Sequence, residues 1–143
     1  MAEECCTPNG DVMILACSGG SNVGQLANQA AVELTQEGFG KIFCLAGIGG
    51  HLSGFVQSAR DVPQMVALDG CPVACSKAIL EHAKIPLKGY LVLTELGIEK
   101  NKDFKLGREE IEKVKAAAKE AAGEGAASAK PSDKTPSGCS CTC

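Results

Sequence analysis

Short apolar runs alternate with longer amphipathic segments from Asp11 to Thr94. The first run, Val12 to Cys17, is apolar throughout, which is typical of a strand covered on both faces. A glycine-bearing turn follows, and the next segment has helical spacing, with a capping box predicted at Asn22 and Gln25. The apolar side chains that share one face of this helix are Val23, Leu26, Ala30 and Leu34.

The same alternation predicts three more strands, at Ile42 to Ala46, Met65 to Leu68 and Tyr90 to Thr94. Between them we expect a turn at Gly47 to Gly50, a short helix bearing Leu52, Phe55, Val56 and Ala59, and a helix that starts near Pro72 and ends near Pro86. Helical crossovers between consecutive strands favour parallel pairing. The prediction is an α/β protein with a small Rossmann-like three-layer fold and a mainly parallel four-stranded sheet. We consider the strand order 2-1-3-4.

One domain, residues 11–122, accounts for these elements in a chain of 143 residues. Its last segment, Gly107 to Ala122, has helical composition, with Ile111 and Val114 on one side, and we expect it to pack weakly. Residues 1–10 are predicted to form a flexible tail that contains Cys5 and Cys6. Residues 123–143 are rich in small and polar residues, which predicts a disordered tail. That tail ends in Cys139-Ser140-Cys141-Thr142-Cys143.

Charge and composition exclude several kinds of partner. A net charge of -3 and an aromatic content of 3% offer neither a basic field for phosphates nor rings for stacking on bases, so no nucleic acid partner is expected. No apolar run approaches the roughly 20 residues of a membrane span. The acidic start, Met1 to Cys6, does not resemble a secretory signal, which predicts a cytoplasmic protein.

Nine cysteines in a reducing compartment indicate metal-binding or catalytic thiols rather than a disulfide framework. Cys17 ends the first predicted strand, Cys71 follows the third, and Cys75 lies one helical turn later. Ligands of open α/β sheets bind beyond the carboxyl ends of the strands, where these three residues are expected. Helix N-termini favour anions, so we expect these thiols to ionise more readily than free cysteine.

Cys44 is a fourth candidate whose position leaves alternatives open. It lies three residues before Gly47 and could be a small buried hydrophobe inside the second strand rather than a ligand at its end. Neighbouring strands are about 4.8 Å apart, so a site shared by Cys44, Cys17 and Cys71 requires loops that curl inward. His51, Asp69 or a water molecule could take the place of Cys44.

The loop Cys17-Ser18-Gly19-Gly20-Ser21-Asn22 joins a strand to a helix, and its backbone N–H groups could bind an anion. It contains neither the dinucleotide fingerprint nor the lysine of a P-loop. A cysteine phosphatase needs an arginine that clamps the phosphate, and the sixth residue after Cys17 is Val23. Neither nucleotide binding nor phosphatase activity is supported.

Three segments together resemble the DGC-domain family, whose members are described as zinc-binding. They are Cys17 to Gln25, Cys44 to Gly50, and Asp69-Gly70-Cys71-Pro72-Val73-Ala74-Cys75, within a similarity that spans Asp11 to Thr94. The resemblance implies four chelating cysteines, which are Cys17, Cys44, Cys71 and Cys75 in this chain, and zinc as the metal. It implies no enzymatic activity, and the cysteines of the C-terminal tail are not part of it.

Two classes of function follow. In the first, core thiolates bind zinc or another soft ion for storage, delivery or structure, and the metal ion is the partner. In the second, Cys17 or Cys71 is a nucleophile that carries sulfur or selenium or forms a disulfide with Cys75. No general base accompanies these cysteines, so the first class is favoured.

Overall fold

Four short strands form one parallel sheet in the computed structural model, which describes residues 12–126. The strands are β1 (Val12–Ala16), β2 (Gly40–Ile42), β3 (Gln64–Asp69) and β4 (Tyr90–Val92). Their order in the sheet is β2-β1-β3-β4, and every neighbouring pair is parallel. The predicted α/β class and the parallel pairing are confirmed, and the strand order is the one considered from the sequence.

Helices connect the strands. They are α1 (Asn22–Gln36), α2 (Leu45–Gly49), α3 (Ser53–Asp61), α4 (Cys75–His82) and α5 (Arg108–Ala126), with a 3-10 turn at Leu93–Leu96 after β4. None of the helices in residues 12–126 combines the length and the apolar character that crossing a bilayer requires.

The sheet separates two apolar cores because successive side chains of a strand point to opposite faces. Ile14 of β1 packs with side chains of α1 and α5, whereas its neighbour Leu15 packs with side chains of α2, α3 and α4. Both residues are fully buried. Covering of both faces explains the continuous apolar run of β1 and is consistent with the predicted three layers.

The prediction for the second strand was wrong at its carboxyl end. Pairing with β1 stops at Ile42, and residues predicted as strand and turn form α2 instead. The cause is tertiary packing, because a Cβ on Gly47 would lie 2.7 Å from the ring of Phe55. A residue without a side chain lets α2 approach α3 closely, so this glycine serves a helix contact rather than a turn.

Two helix starts also differ from the predictions. Ser21, not Asn22, caps α1, with its Oγ accepting a hydrogen bond from the N–H of Gly24 at 3.3 Å. The helix predicted from Pro72 begins only at Cys75, because Ala74 adopts a left-handed conformation with φ of 57°. Cys71 and Cys75 are therefore not successive turns of one helix.

The last helix is part of the core, contrary to the expectation of weak packing. Val114 and Ala118 are fully buried between α5 and the sheet, and Ile111 and Ala122 are each 4% exposed. Their spacing of three or four residues places them on one helical face. The helix continues to Ala126, whereas the other residues predicted as tails, 1–10 and 127–143, lie outside the described part of the chain.

An ionic cluster ties α5 to α1. The carboxylate of Glu33 on α1 is 2.7 Å from Arg108 and 3.3 Å from Lys115, and Lys115 also contacts Glu37. Hydrogen bonds from Gln29, Arg108 and Lys115 lower the pKa of Glu33 to about 2. The Lys115 side chain is 6% exposed, so its ammonium depends on these carboxylates for compensation.

This cluster predicts a loss of stability in acid. The pKa of Glu33 is about 2 in the folded protein and about 4.3 in an unfolded chain. Between these values the unfolded state binds more protons, so the free energy of unfolding falls as the pH falls. We expect the difference in this free energy between wild type and Glu33→Gln to shrink from about pH 6 to about pH 2, measured by urea unfolding.

The exposed α5 variant Glu120→Gln is the matched control, and its difference from wild type should stay small at every pH. A Glu33→Gln difference that does not change with pH would contradict the role of the cluster.

Candidate functional site

Cys17 and the Asp69-Gly70-Cys71 segment meet at the carboxyl ends of two neighbouring strands. The β1–β3 register pairs Ala16 with Leu68, and the N–H of Cys17 continues the ladder by donating to the Leu68 carbonyl at 3.0 Å. The N–H of Gly70 in turn donates to the Cys17 Sγ at 3.4 Å. Parallel pairing therefore brings together residues that are 53 positions apart.

Two glycines allow the backbone segments around Cys17 to touch. A Cβ on Gly70 would lie 2.8 Å from the N of Gly24 on α1, and a Cβ on Gly24 would lie 2.5 Å from the carbonyl oxygen of Gly19. Because these neighbours are backbone atoms, no side-chain rotation could relieve such contacts. The glycine of the Asp-Gly-Cys motif is thus required by close packing against α1.

The carboxylate of Asp69 positions α4. It is 1% exposed and accepts hydrogen bonds from the N–H groups of Ser76 at 2.7 Å and Lys77 at 3.1 Å. A carboxylate at a helix N-terminus accepts hydrogen bonds from the free N–H groups and interacts favourably with the positive end of the helix dipole. The Tyr90 hydroxyl donates to the same carboxylate at 2.9 Å, and burial and this carboxylate raise the pKa of Tyr90.

Asp69 was considered a replacement ligand for Cys44. Both of its oxygens are bonded to α4, and one of them also accepts from Tyr90. Its described contacts are those of a structural residue that fixes the position of Cys75.

Three of the four predicted cysteines line one cleft, which has a volume of about 180 Å³. Cys17 and Cys71 are half-buried, and Cys75, the first residue of α4, is exposed. The rest of the cleft lining consists of Gly19, Gly20, Ser21, Gly24, Gly70, Val73, Lys100 and Lys102.

Cys44 is not part of this lining. It is exposed and occupies the N-cap of α2, outside β2. The alternative of a buried hydrophobe inside the second strand is therefore wrong. His51, the other considered replacement, is exposed and contacts His82.

The electrostatics of Cys17 differ from the expectation of easier ionisation. Burial raises the pKa of its thiol, and hydrogen bonds from Gly70 and Gly19 only partly offset this effect. The negative charges of Asp69 and Cys75 act in the same direction as burial. Cys17 is thus favoured as a neutral thiol when nothing else binds in the cleft.

A segment between β4 and α5 brings two lysines to the cleft. Lys100 Nζ donates to the Cys71 Sγ at 3.4 Å, and Lys102 donates to the carbonyl of Gly20. None of the described residues that line the cleft is Asp or Glu. Two ammonium groups therefore lie beside the thiols of the cleft. The sequence gives no signal for either lysine, because both lie outside the cysteine motifs.

Asn22 attaches this segment to α1 through three hydrogen bonds. Its N–H donates to the Asn101 carbonyl at 3.0 Å, its Oδ1 accepts from the Asn101 N–H at 2.6 Å, and its Nδ2 donates to the Glu99 carbonyl at 2.8 Å. Lys100 and Lys102 alternate along the chain with Glu99 and Asn101, which Asn22 holds, and both lysines reach the cleft. The sequence predicts a capping box at Asn22, whereas in the structure the Asn22 side chain positions the lysines.

The glycine loop is less open to anions than the sequence suggested. The N–H of Asn22 is bonded to Asn101, that of Gly24 to Ser21, and that of Ser21 to the Gly19 carbonyl. The Gln25 side chain donates to the carbonyls of Ser18 and Gly19. Much of the anion-binding capacity expected of this loop is therefore used within the protein.

The residues that line the cleft are of the right chemical type for a soft metal ion, but the distances between their donor atoms are too long. Three thiols provide the sulfur donors that zinc prefers. In the part of the chain that the structure describes, however, no three His, Cys, Asp or Glu side chains are close enough together to hold an ion. The cleft contains donors of the right kind that are not assembled into a coordination site.

A parallel sheet with an Asp-Gly-Cys motif and further thiols at its carboxyl edge defines the class of protein. The chain belongs to the DGC domain family, which it matches over residues 13–118, so the family resemblance is confirmed. The anaerobic and virulence modulator AnvM of Pseudomonas aeruginosa is 40% identical over 88 residues, covering 62% of this chain and 67% of that protein. No solved structure matches the chain significantly.

The attachment of the lysine segment can be tested with Asn22→Ala. The change removes two side-chain hydrogen bonds and leaves the Asn101 N–H without its partner, so we expect a loss of about 1 to 3 kcal/mol in the free energy of unfolding. The released segment should also be cut faster by trypsin at Lys100 and Lys102 under native conditions.

Asn28→Ala makes the same change elsewhere on α1 and should have little effect on the cleavage rate at these lysines. If both variants were cut at the wild-type rate, Asn22 would not be what fixes the segment.

Proposed function

We propose that this protein binds one soft divalent metal ion, with zinc as the preferred metal, through the thiolates of Cys17, Cys71 and Cys75. The observation that carries the proposal is the convergence of these three thiols on the walls of one cleft, one from the end of β1 and two from the segment that runs from β3 into α4. Cysteine thiolates are regular ligands of zinc, and open α/β sheets bind their ligands beyond the carboxyl ends of the strands.

The proposal requires a local rearrangement. Because the described donors are not at ligand distances, the side chains of Cys71 and Cys75 must turn toward Cys17 on binding. A metal bonded to the Cys71 sulfur also replaces the hydrogen bond from Lys100. The deprotonation of Cys17, opposed by burial, is then driven by the metal, so binding should release protons and weaken in acid.

The name of the Pseudomonas relative supports a role under low oxygen. That protein is named an anaerobic and virulence modulator. Thiolates bind metals and disulfides do not, so occupancy of a thiol cleft depends on the redox state of its surroundings. We propose that this chain binds its metal in a reducing compartment, the cytoplasm, and that oxidation empties the site.

A cobalt titration of the reduced protein tests the proposal. Wild type should bind Co²⁺ with a sulfur-to-metal charge-transfer band. Cys75→Ser should weaken Co²⁺ binding by at least about tenfold, because even the loss of a residue that only hydrogen-bonds to a metal ligand weakens metal binding by about that factor. Cys44→Ser is the matched control, since both cysteines are exposed but only Cys75 lines the cleft.

Absence of the charge-transfer band in wild type would contradict metal binding. An equal loss in Cys44→Ser would contradict the three-thiol site and support the set of four cysteines that the family resemblance implies.

A sulfur carrier is the second candidate, favoured by the hydrogen bond from Lys100 to Cys71. The Lys100 ammonium lies within hydrogen-bond distance of this sulfur, and the thiolate is the nucleophilic form of a cysteine. The Cys71 thiolate would attack a sulfur atom of a polysulfide dianion, break its S–S bond and retain part of it as a persulfide, while a shorter polysulfide dianion leaves.

Mass spectrometry after treatment of metal-free protein with polysulfide distinguishes this candidate. A carrier should gain added sulfur on Cys71, and the gain should disappear in Cys71→Ser and decrease in Lys100→Gln. Sulfur spread equally over all exposed cysteines would contradict a dedicated carrier.

A further inference from the structure

The two histidines of the chain form a pair on the surface, away from the thiol cleft. His51 follows α2 and its C-cap Gly50, and His82 is the last residue of α4. The His51 Nε2 lies 2.9 Å from the His82 Nδ1, and the rings meet edge to face with centroids 4.8 Å apart. Neither residue lines the cleft.

Buried packing holds the pair together. A Cβ on Gly49 would lie 3.4 Å from the Ile79 side chain, so the end of α2 rests directly on α4. Ile48 and Leu80, one on each helix, are fully buried in the same core. His51 has φ of 56°, and its N–H donates to the Ile48 carbonyl at 3.0 Å. The backbone at each histidine is thus held by packing or hydrogen bonding, which places the two imidazoles side by side. Both are exposed and accessible to an ion from solvent.

From this geometry we propose that His51 and His82 form a second metal site, which binds Cu²⁺ or Ni²⁺ through the His51 Nε2 and the His82 Nδ1. With a metal–nitrogen bond of about 2.1 Å, adjacent ligands at a right angle are about 3.0 Å apart and tetrahedral ligands about 3.4 Å apart. The observed 2.9 Å fits the right angle of a tetragonal ion. Water molecules complete the coordination.

Binding exchanges a proton for the metal. A hydrogen bond between two neutral imidazoles requires one N–H donor and one unprotonated acceptor. The ion replaces this hydrogen, each ligating nitrogen gives its lone pair to the metal, and the displaced proton moves through solvent to the other nitrogen of the same ring, so both rings stay neutral. No oxidation state changes.

The end of α4 favours a cation at this position. His82 lies in the last turn of α4, which is the partially negative end of the helix dipole. The site differs from the cleft in ligand type, since imidazole suits Cu²⁺ and Ni²⁺, whereas the cleft offers thiols. The protein would therefore hold two metal sites of different selectivity.

Calorimetric titration of the full chain with Ni²⁺, after its thiols have been blocked with iodoacetamide, tests the pair. Blocked wild type should bind one Ni²⁺, and His51→Asn and His82→Gln should each weaken binding by at least about tenfold. Asparagine tolerates the left-handed backbone at position 51, and circular dichroism verifies that each protein is folded.

Glu81→Gln is the matched control, because neighbouring helix positions do not face each other, and it should bind Ni²⁺ like wild type. Unchanged affinity in the two histidine variants, or no binding to folded blocked wild type, would overturn the proposal.

If blocking unfolds the protein, NMR of the unmodified chain decides. The chain has only two histidines, and Ni²⁺ should broaden the ring signals of both together. Broadening of one ring alone, or of neither, would overturn the proposal.

Discussion

The buried carboxylate of Asp69 is the interaction on which the arrangement of the site depends. It ends β3, satisfies two N–H groups at the start of α4 and accepts the hydroxyl of Tyr90 on β4. One side chain therefore connects a central strand, an edge strand and the helix that carries Cys75. A charged group this deeply buried is tolerated only because its hydrogen bonds compensate for the loss of water.

Close backbone contact complements this polar link. Gly70 lies against α1, and Gly24 lies against the loop after β1. These close backbone contacts hold the segments that carry Cys17 and Cys71 next to each other. The segment of Lys100 and Lys102 is attached to the same region through Asn22. Thiols and ammonium groups consequently share one small cleft.

Much of the fold was predictable because its local patterns agree with its tertiary structure. Continuous apolar strands between amphipathic helices specify a covered parallel sheet, and the strand ends that carry Cys17 and Cys71 follow from it. The position of Cys44 did not follow, since Gly47 resembles a turn residue until its contact with Phe55 is known. The burial of α5 had a signal in the spacing of Ile111, Val114 and Ala118, which the surrounding charges obscured.

Interactions between distant segments left no comparable signal. The Asn22 contacts join residues 77 and 79 positions apart, and the two histidines are separated by 31 positions. Neither spacing belongs to a helix or strand period, so only the folded chain reveals these neighbours.

The contacts of Gly24 and Gly70 bear on how such a protein can diverge. Substitutions at these two positions would collide with main-chain atoms, whereas Cys71 and Cys75 line the cleft. The glycines are therefore constrained by architecture, whereas the packing of the backbone does not require the cysteines. A descendant that kept both glycines but lost the cysteines would preserve the scaffold without its thiols, so the two kinds of residue are open to change independently.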